Sequence, residues 1–378
     1  MEIVQPGLAL TLGSFALVIG FLVFIHELGH YLAGRAFGVK ADVFSIGFGR
    51  EVMGWTDRQG TRWKISLLPL GGYVKFAGDM NPASTPSREW LALPAAERAR
   101  TFQAKKLWQK AIIVLAGPFA NFLFAILVFA GFFMAYGVPR TPPVVAMVMP
   151  GSVAERVGII PGDRIESIDG KAIAEFEDIA DIVRLRPNED TLIRLVRNGD
   201  HETLRVRIGE ESQKDRFGNT YRIGRLGIAP VSQVVVKEPF GRVVVTSVDH
   251  TFNLVGMMVE ALKQVITGRR PVDELGGPIK IAQFAGQTAT LGWESLIQFM
   301  AFISINLGFI NLLPVPMLDG GHLLFYLIEA VRRRPVKARA QELAFISGLA
   351  LLGTLMLLVT FNDLTSLGVW EKLAKLVG

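Results

Sequence analysis

The chain has 378 residues, half of them hydrophobic, a net charge of +6 and no cysteine. This composition excludes a disulfide framework, a thiol nucleophile and a thiolate metal site, so any metal must be held by carboxylates or by the five histidines. The basic excess does not point to nucleic acid: it is concentrated in short segments beside apolar runs, the pattern that orients a membrane protein.

Four apolar stretches follow in chain order: Gly7 to Ile25, Ala111 to Tyr136, Ser295 to Leu318 and Leu343 to Asn362. Each has about the 20 residues that a helix needs to cross a bilayer, and the first two carry no charge. The first lacks a basic leader and a small-residue cleavage site, so it reads as a permanent span and not as a removable signal.

That first span runs into His26-Glu27-Leu28-Gly29-His30. On a helix, residues four apart share a face, so both imidazoles can reach one ion at about 2.0–2.1 Å. Glu27 stands beside such an ion without ligating it, placed to take a proton from the metal's water. Gly29 leaves room for close approach. Catalytic zinc takes three protein ligands as a rule, so a third must come from elsewhere.

Residues 31–106 hold twelve Lys and Arg against six Asp and Glu, which makes this loop cytoplasmic. Within it, residues 65–76 are apolar and carry Gly71-Gly72 as a hairpin-like turn. This segment is expected to dip into the membrane and take up substrate as an added strand, with Gly71, Gly72 and Tyr73 as candidate contacts. The second span contains Ala116-Gly117-Pro118 and Asn121, the latter read as structural.

Residues 138–229 look like a soluble domain. Val144 to Met149 reads as a strand, Phe176 to Leu185 as a helix, and Thr191 to Arg197 with Glu202 to Ile208 as a hairpin around Asn198-Gly199. With Gly162-Asp163 and Asp169-Gly170, the order resembles a bacterial PDZ domain, which binds a peptide or chain end as an added strand. Residues 230–292 read as a connector on the outer membrane surface, with an amphipathic helix near Phe252 to Ile266 and the run Leu275-Gly276-Gly277-Pro278-Ile279.

The third span ends in Asn311-Leu312-Leu313-Pro314-Val315-Pro316-Met317-Leu318-Asp319-Gly320-Gly321-His322. Prolines and glycines break the helix, and broken backbone at membrane depth is tolerated only inside protein or beside a water-filled cavity. An acidic group there wants a cation, so Asp319 is the expected third ligand, with His322 well behind it. His201 and His250 read as ordinary surface residues. The link that follows is basic (Arg332, Arg333, Arg334, Lys337, Arg339) and is also cytoplasmic, leaving residues 138–292 and both termini outside.

The HExxH at the end of the first span, together with Asn311-x-x-Pro314-x-Pro316-x-Leu318-Asp319-Gly320, resembles the site-2 protease family. These are M50-type intramembrane zinc metalloproteases, and the closest type is the bacterial RseP-like regulated intramembrane protease. Gly71 to Phe76, Ala116-Gly117-Pro118 with Asn121, and Gly276-Gly277-Pro278 fit the same pattern. The resemblance implies that His26, His30 and Asp319 bind one Zn²⁺ per chain, that Glu27 is catalytic and that Asn311 contacts the substrate backbone. It implies single-span membrane proteins as substrates, of the anti-sigma factor or remnant signal peptide type, cleaved in the bacterial inner membrane. One PDZ domain stands where the best-known type has two.

The expected fold is therefore a polytopic α-helical membrane protein with four transmembrane helices, a membrane-associated β-hairpin region and one extracytoplasmic α+β PDZ domain. Its expected parts are helix 1 (1–36), a membrane-dipping β loop (37–106), helix 2 (107–137), the PDZ domain (138–229), the connector (230–292), helix 3 (293–322), a basic loop (323–342), and helix 4 with the tail (343–378). The rival functions are a catalytically dead PDZ-presenting scaffold and a metal-transport subunit, and neither needs a base such as Glu27 beside an ion. No GxSG serine or GxGD aspartyl motif is present.

Overall fold

A computed structural model describes residues 6–78, 93–184, 186–214, 220–267 and 276–366. Among these residues, four helices are long and apolar enough to cross a membrane. They are α1 (Leu8–Ala36), α3 (Leu107–Tyr136), α8 (Trp293–Asn311) and α10 (Ala338–Ser366). At 1.5 Å per residue, the 29 residues of α1 reach about 43 Å, enough for a hydrocarbon core of about 30 Å with turns to spare. A short helix, α2 (Ala95–Arg98), precedes α3.

The chain forms two compact units. The first comprises residues 1–130, 246–265 and 270–378. Its core joins Val18 and Leu22 of α1 to Leu296 and Met300 of α8 and to Ala285 of a further helix, α7 (Pro278–Thr290). The expected connector on the membrane surface is thus corrected: α7 is part of the packed bundle. Its start explains the glycines before it. Asp363 of α10 is fully buried and accepts hydrogen bonds from the backbone N–H of Gly277 and Lys280, each at 3.1 Å. A carboxylate there satisfies helix-end donors that would otherwise be stranded. Leu275 lies outside the described residues. The amphipathic helix, α6, runs from Phe240 to Ile266, a dozen residues earlier than expected.

A second core packs α1 and α3 against a β-hairpin, through Tyr31, Phe44, Phe76, Ile113 and Val114. Here the expected turn is one of two. The hairpin consists of β1 (Ala41–Thr56) and β2 (Arg62–Phe76), and it turns at residues 57–61. Asp57 organises that turn by accepting the N–H groups of Gln59 and Thr61 at 2.9 Å and the indole N–H of Trp63 at 2.9 Å. Gly71 and Gly72 lie inside β2, where the chain doubles back: residues 62–65 and 72–75 run in opposite directions past the same residues of β1. Ile46 consequently faces Ile65 on one side and Gly72 on the other.

The expected third span is also corrected. Helix α8 stops at Asn311, and Asp319 opens a separate helix, α9 (Asp319–Arg332). Most of the expected basic loop is therefore helical: only residues 333–337 separate α9 from α10.

The second unit comprises residues 131–245 and 266–269. Its described strands are β3 (Val138–Arg140), β4 (Val145–Val148), β5 (Arg164–Ile168), β6 (Lys171–Ala172), β7 (Asp190–Arg197), β8 (Asp200–Arg207), β9 (Gly209–Lys214), β10 (Thr220–Arg225), β11 (Ile228–Pro230) and β12 (Val234–Val236). Two helices, α4 (Val153–Arg156) and α5 (Phe176–Arg184), complete it, and the largest sheet has the order β6-β5-β7-β8. Alternation along β7 turns Thr191, Ile193 and Leu195 inward, onto a core with Ile165, Ile168, Ile179, Val206 and Ile208. The Asn198-Gly199 turn takes positive φ at both residues, as a two-residue hairpin requires. Strand β12 pairs with β3, so this unit runs past the expected boundary at residue 229.

Asp163, almost wholly buried in this unit, accepts from the Arg197 guanidinium at 2.8 and 2.7 Å and from the Ile160 N–H at 2.9 Å. Burial pushes its pKa up, but Arg197 and the Ile160 amide outweigh that and hold it below the usual carboxylate range. A lowered folded-state pKa stabilises above the unfolded value, and that contribution is lost as pH falls below about 4. Asp163→Asn is expected to cost about 1–3 kcal/mol, the loss of charge-assisted hydrogen bonds to a buried carboxylate, while Arg197 keeps Glu202 at 3.1 Å and the Gly158 carbonyl at 2.7 Å. Hydrogen exchange in β5 and β7 of the full chain should then become faster at pH 7 and lose its acid-dependent component.

Candidate metal centre

Helix α1 carries His26, Glu27 and His30 on its last turns, and α9 brings Asp319 to them. The His26 and His30 Nε2 atoms are 3.2 Å apart, and Asp319 Oδ2 is 3.2 Å from the first and 3.5 Å from the second. Among the described residues these three side chains form a group able to hold a metal ion. His322 lines the same cavity but is not one of the three.

The spacing tests whether zinc fits. Four ligands at about 2.0–2.1 Å in a tetrahedron stand about 3.3–3.4 Å from one another. The three observed separations bracket that edge. The donor atoms agree as well. His30 Nδ1 lies 2.9 Å from the Ile113 carbonyl, which can only accept, so Nδ1 carries the ring hydrogen and Nε2 presents a lone pair. Asp319 Oδ2 is buried without a hydrogen-bond partner of good geometry. Buried lone pairs that converge on one point and lack a donor call for a cation.

Close packing of α1 on α3 builds the site. A Cβ on Gly29 would collide with the Ala116 carbonyl, and one on Gly117 would collide with the His30 ring. The expected role of Gly29 holds, and Gly117 explains part of Ala116-Gly117-Pro118. Pro118 lies within α3, where its missing N–H removes one helix hydrogen bond.

Asp319 is delivered by the break between α8 and α9. The Val315 N–H donates to Leu313 O at 2.7 Å and the Leu318 N–H to Val315 O at 3.0 Å, closing two tight turns around the prolines. Met317 takes φ +88, a conformation that side chains other than glycine rarely adopt. It lines the cavity together with Asn311, the last residue of α8.

The cavity has a volume of about 410 Å³, and Glu27, Gly71, Gly72 and Tyr73 line it beside the metal group. Gly72 lies so near α1 that a Cβ would stand 2.6 Å from Val23 and 3.2 Å from Glu27. All the residues singled out for chemistry or substrate contact thus share one cavity. His201 instead sits on β8 beside Glu166, at 2.9 Å, and His250 on α6 against the Phe129 ring.

Sequence reasoning missed one neighbour of the centre. The Asn121 side-chain amide lies 3.1 Å from His26 Nδ1 and is fully buried. Its place shortly after Pro118, in the apolar stretch of α3 that follows Lys110, was the available signal: a lone amide in a membrane span needs a partner.

Relatives align over nearly the whole chain. A protein of Rhizobium meliloti, named provisionally as a zinc metalloprotease, is 43% identical over 369 residues, covering 96% of this chain and 99% of its own. A similarly named protein of Agrobacterium fabrum is 44% identical, covering 93% and 95%. Metalloprotease MmpA of Caulobacter vibrioides is 35% identical, covering 97% and 98%. Among solved structures, the PDZ domain of an SdrC-like protein from Listeria monocytogenes matches 25% of this chain and 92% of its own at 21% identity, with a TM-score of 0.20, which decides nothing about the fold. The family model of peptidase family M50 matches residues 14–355, and the chain belongs to that family.

Proposed function

We propose that this chain is a zinc metalloendopeptidase that cleaves single-span membrane proteins within their apolar segments. The observation that carries the reading is the convergence of His26, His30 and Asp319 at 3.2, 3.2 and 3.5 Å beside Glu27, in a cavity between helices of membrane-spanning length.

Zinc bound there would polarise the scissile carbonyl and lower the pKa of a water towards about 7. Glu27 takes the proton of the attacking water and hands it to the departing amide nitrogen. It lies next to His26 in sequence and within reach of the Val74 backbone N–H, so its position is fixed by both α1 and β2. A helical substrate must unwind before its carbonyls can react. The bend of β2 at Gly71 to Tyr73 offers backbone groups to an extended segment, and Asn311 offers a side-chain amide. Val52, Met53, Trp55 and Leu67 of the hairpin are exposed, which suits contact with lipid.

The basic segments favour a cytoplasmic metal centre in an inner membrane, with the β-rich unit outside as a PDZ domain that binds a chain end or screens substrates by size. Substrates of the anti-sigma factor or remnant signal peptide type suit this arrangement.

The test uses the purified full chain with a single-span substrate. Chelation is expected to abolish cleavage and added zinc to restore it, with the new termini mapping inside the apolar segment by mass spectrometry. Cleavage confined to the substrate's soluble flanks would sink the intramembrane reading. Cleavage indifferent to chelation would sink the metal reading.

A further inference from the structure

His26 and His30 present Nε2 to the same point, and helix α3 faces the far nitrogen of each ring. For His30 the far nitrogen meets a carbonyl, Ile113 O, at 2.9 Å. For His26 it meets the amide of Asn121 at 3.1 Å, with the amide nitrogen turned towards it. The Asn121 Oδ1 is buried with no hydrogen-bond partner, and the residue has no exposed surface.

A neutral imidazole has one N–H. If Nε2 of His26 gives its lone pair to a cation, Nδ1 must carry the hydrogen. An amide nitrogen facing that N–H sets donor against donor in a dry site, which costs the full desolvation of both groups. Amide oxygen and nitrogen are nearly isosteric, so turning the amide end over leaves the packing as it is. It puts Oδ1 where the N–H needs an acceptor and gives the stranded oxygen a partner.

We propose that Asn121 is a positioning residue of the metal centre. Its Oδ1 accepts the Nδ1–H of His26, fixing the ring in the tautomer whose Nε2 is free for metal. Helix α3 then sets both imidazoles, through a backbone carbonyl at Ile113 and a side-chain carbonyl at Asn121. Ser304 holds the latter's backbone, donating to Asn121 O at 2.9 Å. This role rests on the zinc reading above.

The test measures zinc affinity of the full chain in detergent by competition with a colorimetric chelator, for wild type, Asn121→Ala and Asn121→Asp. Asn121→Ala is expected to bind zinc about 10–100-fold more weakly, the usual loss when a ligand's outer partner is removed. Asn121→Asp, whose carboxylate accepts the same hydrogen, is expected to recover most of the affinity. Equal affinity in wild type and Asn121→Ala would overturn the proposal, and so would an Asn121→Asp as weak as Asn121→Ala, since the amide would then serve packing alone. A wild type that binds no zinc would overturn the metal reading itself and this role with it. Independently of any substitution, ¹⁵N spectra of the histidine-labelled, zinc-loaded wild type read the tautomer: a protonated Nδ1 on His26 is expected, and metal bound through Nδ1 would overturn the proposal.

Discussion

Replacing Glu27 with glutamine is expected to leave zinc in place and slow cleavage by about 10²–10⁴-fold, the range for removing a general base. That corresponds to roughly 3–5 kcal/mol of transition-state stabilisation. The amide matches the carboxylate in shape but cannot take a proton from water. Glu27 is not one of the three side chains whose donor atoms converge, so the metal group stays whole. The experiment pairs metal analysis of the purified variant with single-turnover cleavage of a membrane-embedded substrate. Full zinc with cleavage within tenfold of wild type would remove Glu27 from the mechanism. Lost zinc would mean that the residue holds metal instead of moving protons.

Asp319→Ala is expected to fail in the opposite order, losing zinc first and activity as a consequence. Asp319 supplies the one anionic donor among the three. Its loss should weaken zinc by more than the 10–100-fold that an outer partner is worth. Asp319→Asn keeps the volume at the start of α9, where Gly320 and Gly321 press against the carbonyls of Leu312, Leu313 and Val315. A matching loss of zinc in that variant therefore separates ligation from a collapse of the turn. Normal zinc content in both variants would leave Asp319 as a structural residue. Taken together, the two substitutions split catalysis from metal binding: both should be inactive, and only one should be empty of metal.

The parts of the centre that lie close in sequence were legible without coordinates. His26, Glu27 and His30 are fixed on one helical face by the 3.6-residue period, whatever the helix packs against. Asp319 was legible for a different reason. Two prolines and two glycines announce a helix break, and a carboxylate at a break inside an apolar region needs a positive partner. Asn121 carried the same kind of signal, a lone amide in an uncharged span, but nothing local says which of its neighbours it meets. The Ile113 carbonyl carried none, because every residue has one. The Gly71-Gly72 pair marked a reversal of the chain, but only the register of β1 shows that it falls within β2, beside the separate turn at residues 57–61.

Helix boundaries failed where burial decided them. The run from Ser295 to Leu318 carries no charge and stays rich in apolar residues past Asn311, so hydropathy cannot see the stop there. Helix α7 is short and mixed in composition, and its place in the bundle depends on Asp363, some eighty residues away, reaching its first turn. By itself, the sequence determined the apolar spans, the candidate ligands and the candidate base beside them, because those follow from periodicity and the cost of polar groups in an apolar run. The tertiary structure alone decided that three donor atoms stand about one tetrahedral edge apart and that α3 orients both imidazoles. Distances between segments far apart in the chain are set by packing, where glycines let backbones touch, and no local pattern records them.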